Sequence, residues 1–367
     1  MKAIALVPHT TNLSVTDILE PSLMSPHDIK LRVLQVGICG TDKEEAAGGR
    51  ADAPIGKQQL IIGHEMFGQV TETGDQVETV KQGDYGLFTV RRGCNECPAC
   101  LNNRSDMCYS GKYTERGIKG ADGFQAEYVV DSDQYFIKVP DSCINIGVLT
   151  EPMSVAAKAI DEALIIQGAR LQKILAGTNW LKGKKALVAG LGPIGLMTAF
   201  ALRLNGAEVT GLDIVDENSL RVQILKNLHG NYIDGRKVQT LDIDETFGEY
   251  DFVFEATGIA TLQIQLIDVL AINGIYVATG IPAGHRPSTI MAGDIMQQLV
   301  LKNQVLLGSV NASIEHYKMA VNYLKQSQEH WPGLIEEVIT DKFSYTQYQE
   351  ALFSHNTDEI KSVIEWQ

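Results

Sequence analysis

Lys185-Ala186-Leu187-Val188-Ala189-Gly190-Leu191-Gly192-Pro193-Ile194-Gly195 reads as a buried strand, a tight turn and the start of a helix. The three glycines fit G-x-G-x-x-G in the strand-turn-helix context that the motif requires. Gly190 permits the turn, Gly192 lets the backbone approach a pyrophosphate, and Gly195 permits close packing of helix on strand. Pro193 and Ile194 open the helix, whose first N–H groups and positive dipole end suit phosphate. A second strand ends at Asp213, 18 residues after Gly195. There an acid would hold an adenosine ribose and repel a 2′-phosphate, so NAD is expected in preference to NADP. Thr257 and Gly258, and Thr279, lie in two further Ala-Thr-Gly strand ends and are expected to line the cofactor.

Outward from this stretch, strands and helices alternate with short loops as far as about residue 308, the pattern of a doubly wound parallel sheet. One of the expected helices covers 260–274, and a long connecting helix is expected over 155–175. The first 150 residues are different. Short strand-like runs are separated by glycine and acidic turns, as in a β-rich domain. The expected organisation is a β-rich domain over 1–155, a dinucleotide-binding domain over 156–310, and a return of 311–367 to the first domain.

The chain has 367 residues, 40.2 kDa, 31 basic and 45 acidic side chains, and a net charge of −14. That balance opposes non-specific binding to nucleic acid, which needs cations on phosphate. Glycines interrupt the most apolar stretch, 185–203, so no membrane span is expected. The N-terminal residues lack a secretory h-region, and a cytoplasmic protein is expected.

Of six cysteines, four crowd together as Cys94, Cys97, Cys100 and Cys108. Four thiolates so spaced suit a closed, structural zinc site. An iron-sulfur cluster or free thiols are the alternatives. Cys39, His64, Glu65 and Glu151 are of the residue types that hold a catalytic zinc, although 25 and 87 residues separate the cysteine, the histidine pair and the last glutamate. Thr41 either passes a substrate proton outward or caps the helix that follows it.

Gly37-Ile38-Cys39-Gly40-Thr41-Asp42, Gly63-His64-Glu65, the run 94–108, Glu151-Pro152, Gly190–Gly195 and the Ala-Thr-Gly strand ends together resemble the zinc-dependent medium-chain dehydrogenases/reductases, the alcohol dehydrogenase superfamily. The resemblance implies an α/β protein in which a GroES-like β-rich catalytic domain joins a Rossmann domain, with the active site in the cleft between them. It implies one catalytic zinc on Cys39 and His64, with Glu65 and Glu151 as near or alternating ligands, and one structural zinc on the four clustered cysteines. It also implies a homodimer or homotetramer.

Arg91-Arg92-Gly93-Cys94, Tyr113-Thr114-Glu115, Ala121–Phe124, Gly308-Ser309-Val310-Asn311 and Glu359-Ile360-Lys361 resemble more narrowly the glucose dehydrogenases known from archaea. That implies an aldose such as glucose or galactose, with Glu115 and Asn311 on its hydroxyls. A secondary alcohol, a polyol or a threonine-type substrate is the alternative. A binding protein without catalysis on the same scaffold is the reading of another class. Two departures stand out. Asp213-Ile214-Val215 occupies the place of residues that welcome NADP, and Glu44 replaces the histidine that relays protons in many alcohol dehydrogenases.

Overall fold

In the computed structural model, which describes residues 1–171, 179–282, 289–354 and 356–366, six parallel strands form one sheet. Across it run Asn231–Asp234, Glu208–Asp213, Lys185–Ala189, Tyr250–Glu255, Leu270–Ala278 and Val305–Gly308. Numbered along the chain, this is the order 3-2-1-4-5-6 of dinucleotide-binding sheets. Leu187, Leu212, Val253 and Tyr276 are buried between the covering layers, which is why these strands read as apolar runs rather than alternating ones. The order reverses between Lys185–Ala189 and Tyr250–Glu255, so the ends of these two strands flank the switch point of the sheet.

Gly190 has φ +89°, and a Cβ on Gly195 would fall 1.8 Å from the Gly190 carbonyl oxygen. The turn and the helix Pro193–Leu204 therefore lock together only with glycine at both places. Beside Gly192 there is open space.

The helix expected over 260–274 ends at Gln265, and Leu270 begins a strand. Asn273 at φ +61° and Gly274 break the helical path, and pairing of Leu270 with Tyr250 draws the chain into the sheet. The connecting helix spans Thr150–Arg170, and residues 172–175 of the expected helix lie outside the described residues.

Contacts divide the chain into two compact units. One comprises Val155–Val310 with Gln326–Leu334. The other comprises Met1–Ser154, Asn311–Lys325 and Ile335–Gln367. The main sheet of the latter unit is largely antiparallel. Its strand Asp28–Gly37 lies between Glu65–Thr73 and the late strand Lys361–Glu365. Among the described residues no helix is long and apolar enough to cross a membrane.

Candidate active site and metal centres

Gly37 ends its strand paired with Glu65 on one side and Val363 on the other. Having no side chain, it leaves room for the Glu65 carboxylate; a Cβ there would lie 2.2 Å from Glu65 Oε2. Lys361 Nζ donates to both Glu65 oxygens, at 2.8 and 2.6 Å, and to the Ile38 carbonyl at 3.0 Å. Lys361 and Glu65 are 3% and 1% exposed, so this is a buried ion pair. Burial alone would lower the Lys361 pKa, but Glu65, with Cys39 and Glu151 adding to it, holds the ammonium above its ordinary value.

Two residues beyond Gly37, Cys39 is the N-cap of the helix Gly40–Ala46. Asp42 Oδ2 accepts the Cys39 N–H at 2.7 Å, while Asp42 Oδ1 lies 3.5 Å from His64 Nδ1. Donor atoms of Cys39, His64 and Glu65 come within 4.8 Å of one another. Thiolate, imidazole and carboxylate fit zinc. A metal on His64 Nε2 would leave the ring proton on Nδ1, facing Asp42, whose Oδ1 is buried without a hydrogen bond.

Glu151 stands outside this three-residue set. Loss of water around its carboxyl, and then the nearby Glu65, push its pKa up to about 7. A cation on Cys39 and His64 would oppose that shift. Thr41 sits inside the helix that Cys39 caps, so the alternative of a capping role for Thr41 does not hold.

The four clustered cysteines also bring their sulfurs within 4.8 Å of one another. Cys97 caps the short helix Pro98–Leu101, and a Cβ on Gly93 would fall 2.7 Å from Cys100 Sγ. Hydrogen bonding to Ser110 lowers the Cys108 thiol to about 6, whereas burial, and then Cys97, raise Cys100 to about 12. Such a cluster does not ionise fully by itself; a divalent cation compensates four thiolates, and the donor set fits zinc.

In the parallel-sheet unit, Asp213 Oδ2 accepts the Leu191 N–H of the glycine turn and Oδ1 accepts that of Ile214, both at 2.6 Å. Each oxygen keeps a further lone pair for a ribose hydroxyl. Both Ala-Thr-Gly turns are tied to Glu255, which is fully buried. Its Oε1 accepts from Thr257 N at 2.6 Å and Gly258 N at 3.0 Å, and its carbonyl accepts from Thr279 N and Oγ1. The open space at Gly192, the helix N-terminus behind it and Asp213 fit a dinucleotide.

Glu115 and Asn311 meet. Asn311 Nδ2 donates to Glu115 Oε1 at 2.7 Å, and Arg91 donates to the same oxygen from Nε and Nη2, at 3.0 and 2.8 Å. Among the described residues Glu115 Oε2 accepts no hydrogen bond and is not sealed from water. Arg116, the neighbour in sequence, turns to Asp131 instead.

Sequence reasoning gave no role to Gly37, Asp42, Arg91, Glu255 or Lys361. For the last of these the available signals are its place in Glu359-Ile360-Lys361 and a lysine at the start of the strand Lys361–Glu365.

Two outcomes follow for these centres. Gly37→Ala is expected to drive Glu65 off Lys361, lowering stability by about 3 kcal/mol or more and the zinc content from two toward one per chain. Urea unfolding and metal counting check this, and a variant with native values contradicts it. Cys100→Ser is expected to lose the other zinc and lower the melting temperature. Unchanged metal content would contradict it.

A sequence profile of the glucose dehydrogenase C-terminus matches residues 144–366, and one of the alcohol dehydrogenase GroES-like domain matches residues 25–141. Glucose 1-dehydrogenase 2 of Vulcanisaeta moutnovskia is 36% identical over 367 residues, covering 100% of this chain and 99% of that protein. Glucose 1-dehydrogenase of Thermoproteus tenax is 35% identical, with 100% of both chains covered. Among solved structures, Haloferax mediterranei glucose dehydrogenase in complex with NADP, Zn and gluconolactone superposes with a TM-score of 0.89 at 30% identity, covering 100% of this chain and 99% of that one. With both profiles matched in sequence and the relatives aligned from end to end, the chain belongs to the glucose dehydrogenase family within the zinc-dependent medium-chain dehydrogenases.

Proposed function

We propose that the protein oxidises the anomeric hydroxyl of an aldose to the lactone, passing the hydride to NAD. The observation that carries the sugar reading is the free Oε2 of Glu115, held beside Asn311 by a carboxylate whose other oxygen Arg91 already saturates. A carboxylate oxygen so fixed accepts a sugar hydroxyl without first being ordered. When bound, zinc supplies Lewis-acid polarisation of the hydroxyl oxygen and nicotinamide supplies the hydride acceptor. Cys39 and His64 would hold the metal, Asp42 orients both, and Lys361 is paired with Glu65 beside it. Thr41 is the group that passes the hydroxyl proton outward. Glu65 lies in the donor set but is paired with Lys361, and Glu151, outside that set, is the alternating carboxylate.

For the cofactor, Asp213 sets the preference for NAD. Arg236, two residues beyond the neighbouring strand, does not offset this, because Asp234 binds it at two points, 2.8 and 2.7 Å. The assembly proposed is a homodimer or homotetramer formed through the open edge strand Val305–Gly308 and the adjacent helix Ala292–Leu301, where Met296, Val300, Leu301 and Leu306 are exposed. Six cysteines without a disulfide suit the reducing cytoplasm.

Glu115→Gln can keep its amide oxygen on Arg91 and place an NH2 where Oε2 stood. The expected loss is roughly 1–3 kcal/mol, or about 5- to 150-fold in kcat/KM on glucose, with a simple secondary alcohol nearly unaffected. Equal losses on both substrates would contradict the sugar role. The wild type is expected to show higher kcat/KM with NAD than with NADP, and Asp213→Asn to narrow the ratio by removing charge repulsion; a wild type that favours NADP overturns this reading.

A further inference from the structure

The amino-terminal hairpin of Lys2–Leu6 and Leu13–Asp17, together with Tyr128–Ser132, borders a groove of about 820 Å3. Its volume falls in the range of small-molecule sites, about 300–1,000 Å3. Neither a metal-site residue nor Glu115 lines it. Val7, Ile18, Leu19, Pro21 and Val129 make much of its wall apolar.

Arg116 also faces this groove, and its guanidinium is underused. Nε is buried without a hydrogen bond, and neither Nη donates one among the described residues. The nearest carboxylate, Asp131, stands 3.6 Å from Nε, beyond hydrogen-bond length, and is committed to Arg92 at 2.7 Å. The face of Phe124 lies 4.9 Å away. Burial lowers the Arg116 pKa and Asp131 offsets this only in part, so the cation gains from a further anion. Of the other cations on the groove, Lys57 is already paired with Asp122, and the Met1 amino group donates to the Ile18 carbonyl at 2.8 Å.

We propose that this groove binds an aliphatic carboxylate, its headgroup on Arg116 and its chain along the apolar wall. The fork of an arginine matches a carboxylate at two points. The charge of the head must be small, because Asp122 and Asp131 stand close to Arg116, which disfavours a dianionic phosphate.

The test is calorimetric titration of the zinc-loaded full-length protein with sodium octanoate, and with 1-octanol as the uncharged counterpart. Octanoate is expected to bind saturably and at least tenfold more tightly than octanol. Arg116→Gln is expected to remove that tenfold advantage. Thr16→Trp, on the hairpin strand that lines the groove, is expected to abolish both bindings. Equal affinity for the two ligands, absence of saturable binding, or octanoate binding that survives Thr16→Trp overturns the proposal. Should Arg116→Gln fail to fold, the octanol comparison and Thr16→Trp decide it.

Discussion

Lys361 and Glu65 meet across the missing side chain of Gly37, and the metal site depends on that contact. Two charges leave water for it, at a desolvation cost of several kcal/mol each, so the pair persists only with close geometry and saturated hydrogen bonds. The sheet supplies both. Three strands from distant parts of the chain converge at Gly37, and the Ile38 carbonyl takes a further Lys361 proton. Glu65 belongs to the candidate metal site and Lys361 holds it, so the return of the strand Lys361–Glu365 to the unit of Met1–Ser154 serves the site as well as the sheet.

The same device recurs at the other centres. A glycine supplies room, and a buried polar group organises the backbone beside it. Gly93 admits the Cys100 sulfur. Gly190 and Gly195 bring strand and helix together at the phosphate turn, where Asp213 accepts a turn N–H. Glu255 ties one Ala-Thr-Gly turn through its carboxylate and the other through its carbonyl. Asp42 does the equivalent work for Cys39 and His64. Glu255 and Asp42 touch ligand-bearing segments rather than ligands, whereas Asp213 also keeps lone pairs for a ribose hydroxyl.

What could be read from the sequence follows from locality. The glycine turn, the cysteine run and the strand-helix alternation are contiguous patterns, and each carries its physics within about 15 residues. The strand from Leu270 was misread as helix because periodicity in a short apolar run does not separate the two, and its pairing with Tyr250 is a tertiary fact. Cys39, His64 and Glu65 were named through family resemblance, not spacing. Lys361 and Gly37 stayed silent because their meaning is a register: only the pairing of Gly37 with Glu65 and Val363 shows that one makes room for the other's partner. Glu115 was legible as a motif residue, but its saturation by Arg91 was not.

The central claim is that Glu65 and Lys361 are energetically one unit. A double-mutant cycle of Glu65→Gln and Lys361→Met, read by urea unfolding of the zinc-loaded protein, tests it most directly. Each single variant strands a buried charge, at about 3–5 kcal/mol, and the double variant removes both charges. The account predicts that the double variant is more stable than the sum of the single losses requires, by about 2 kcal/mol or more. Single losses that add to within about 0.5 kcal/mol would show that the two side chains act independently and would contradict it.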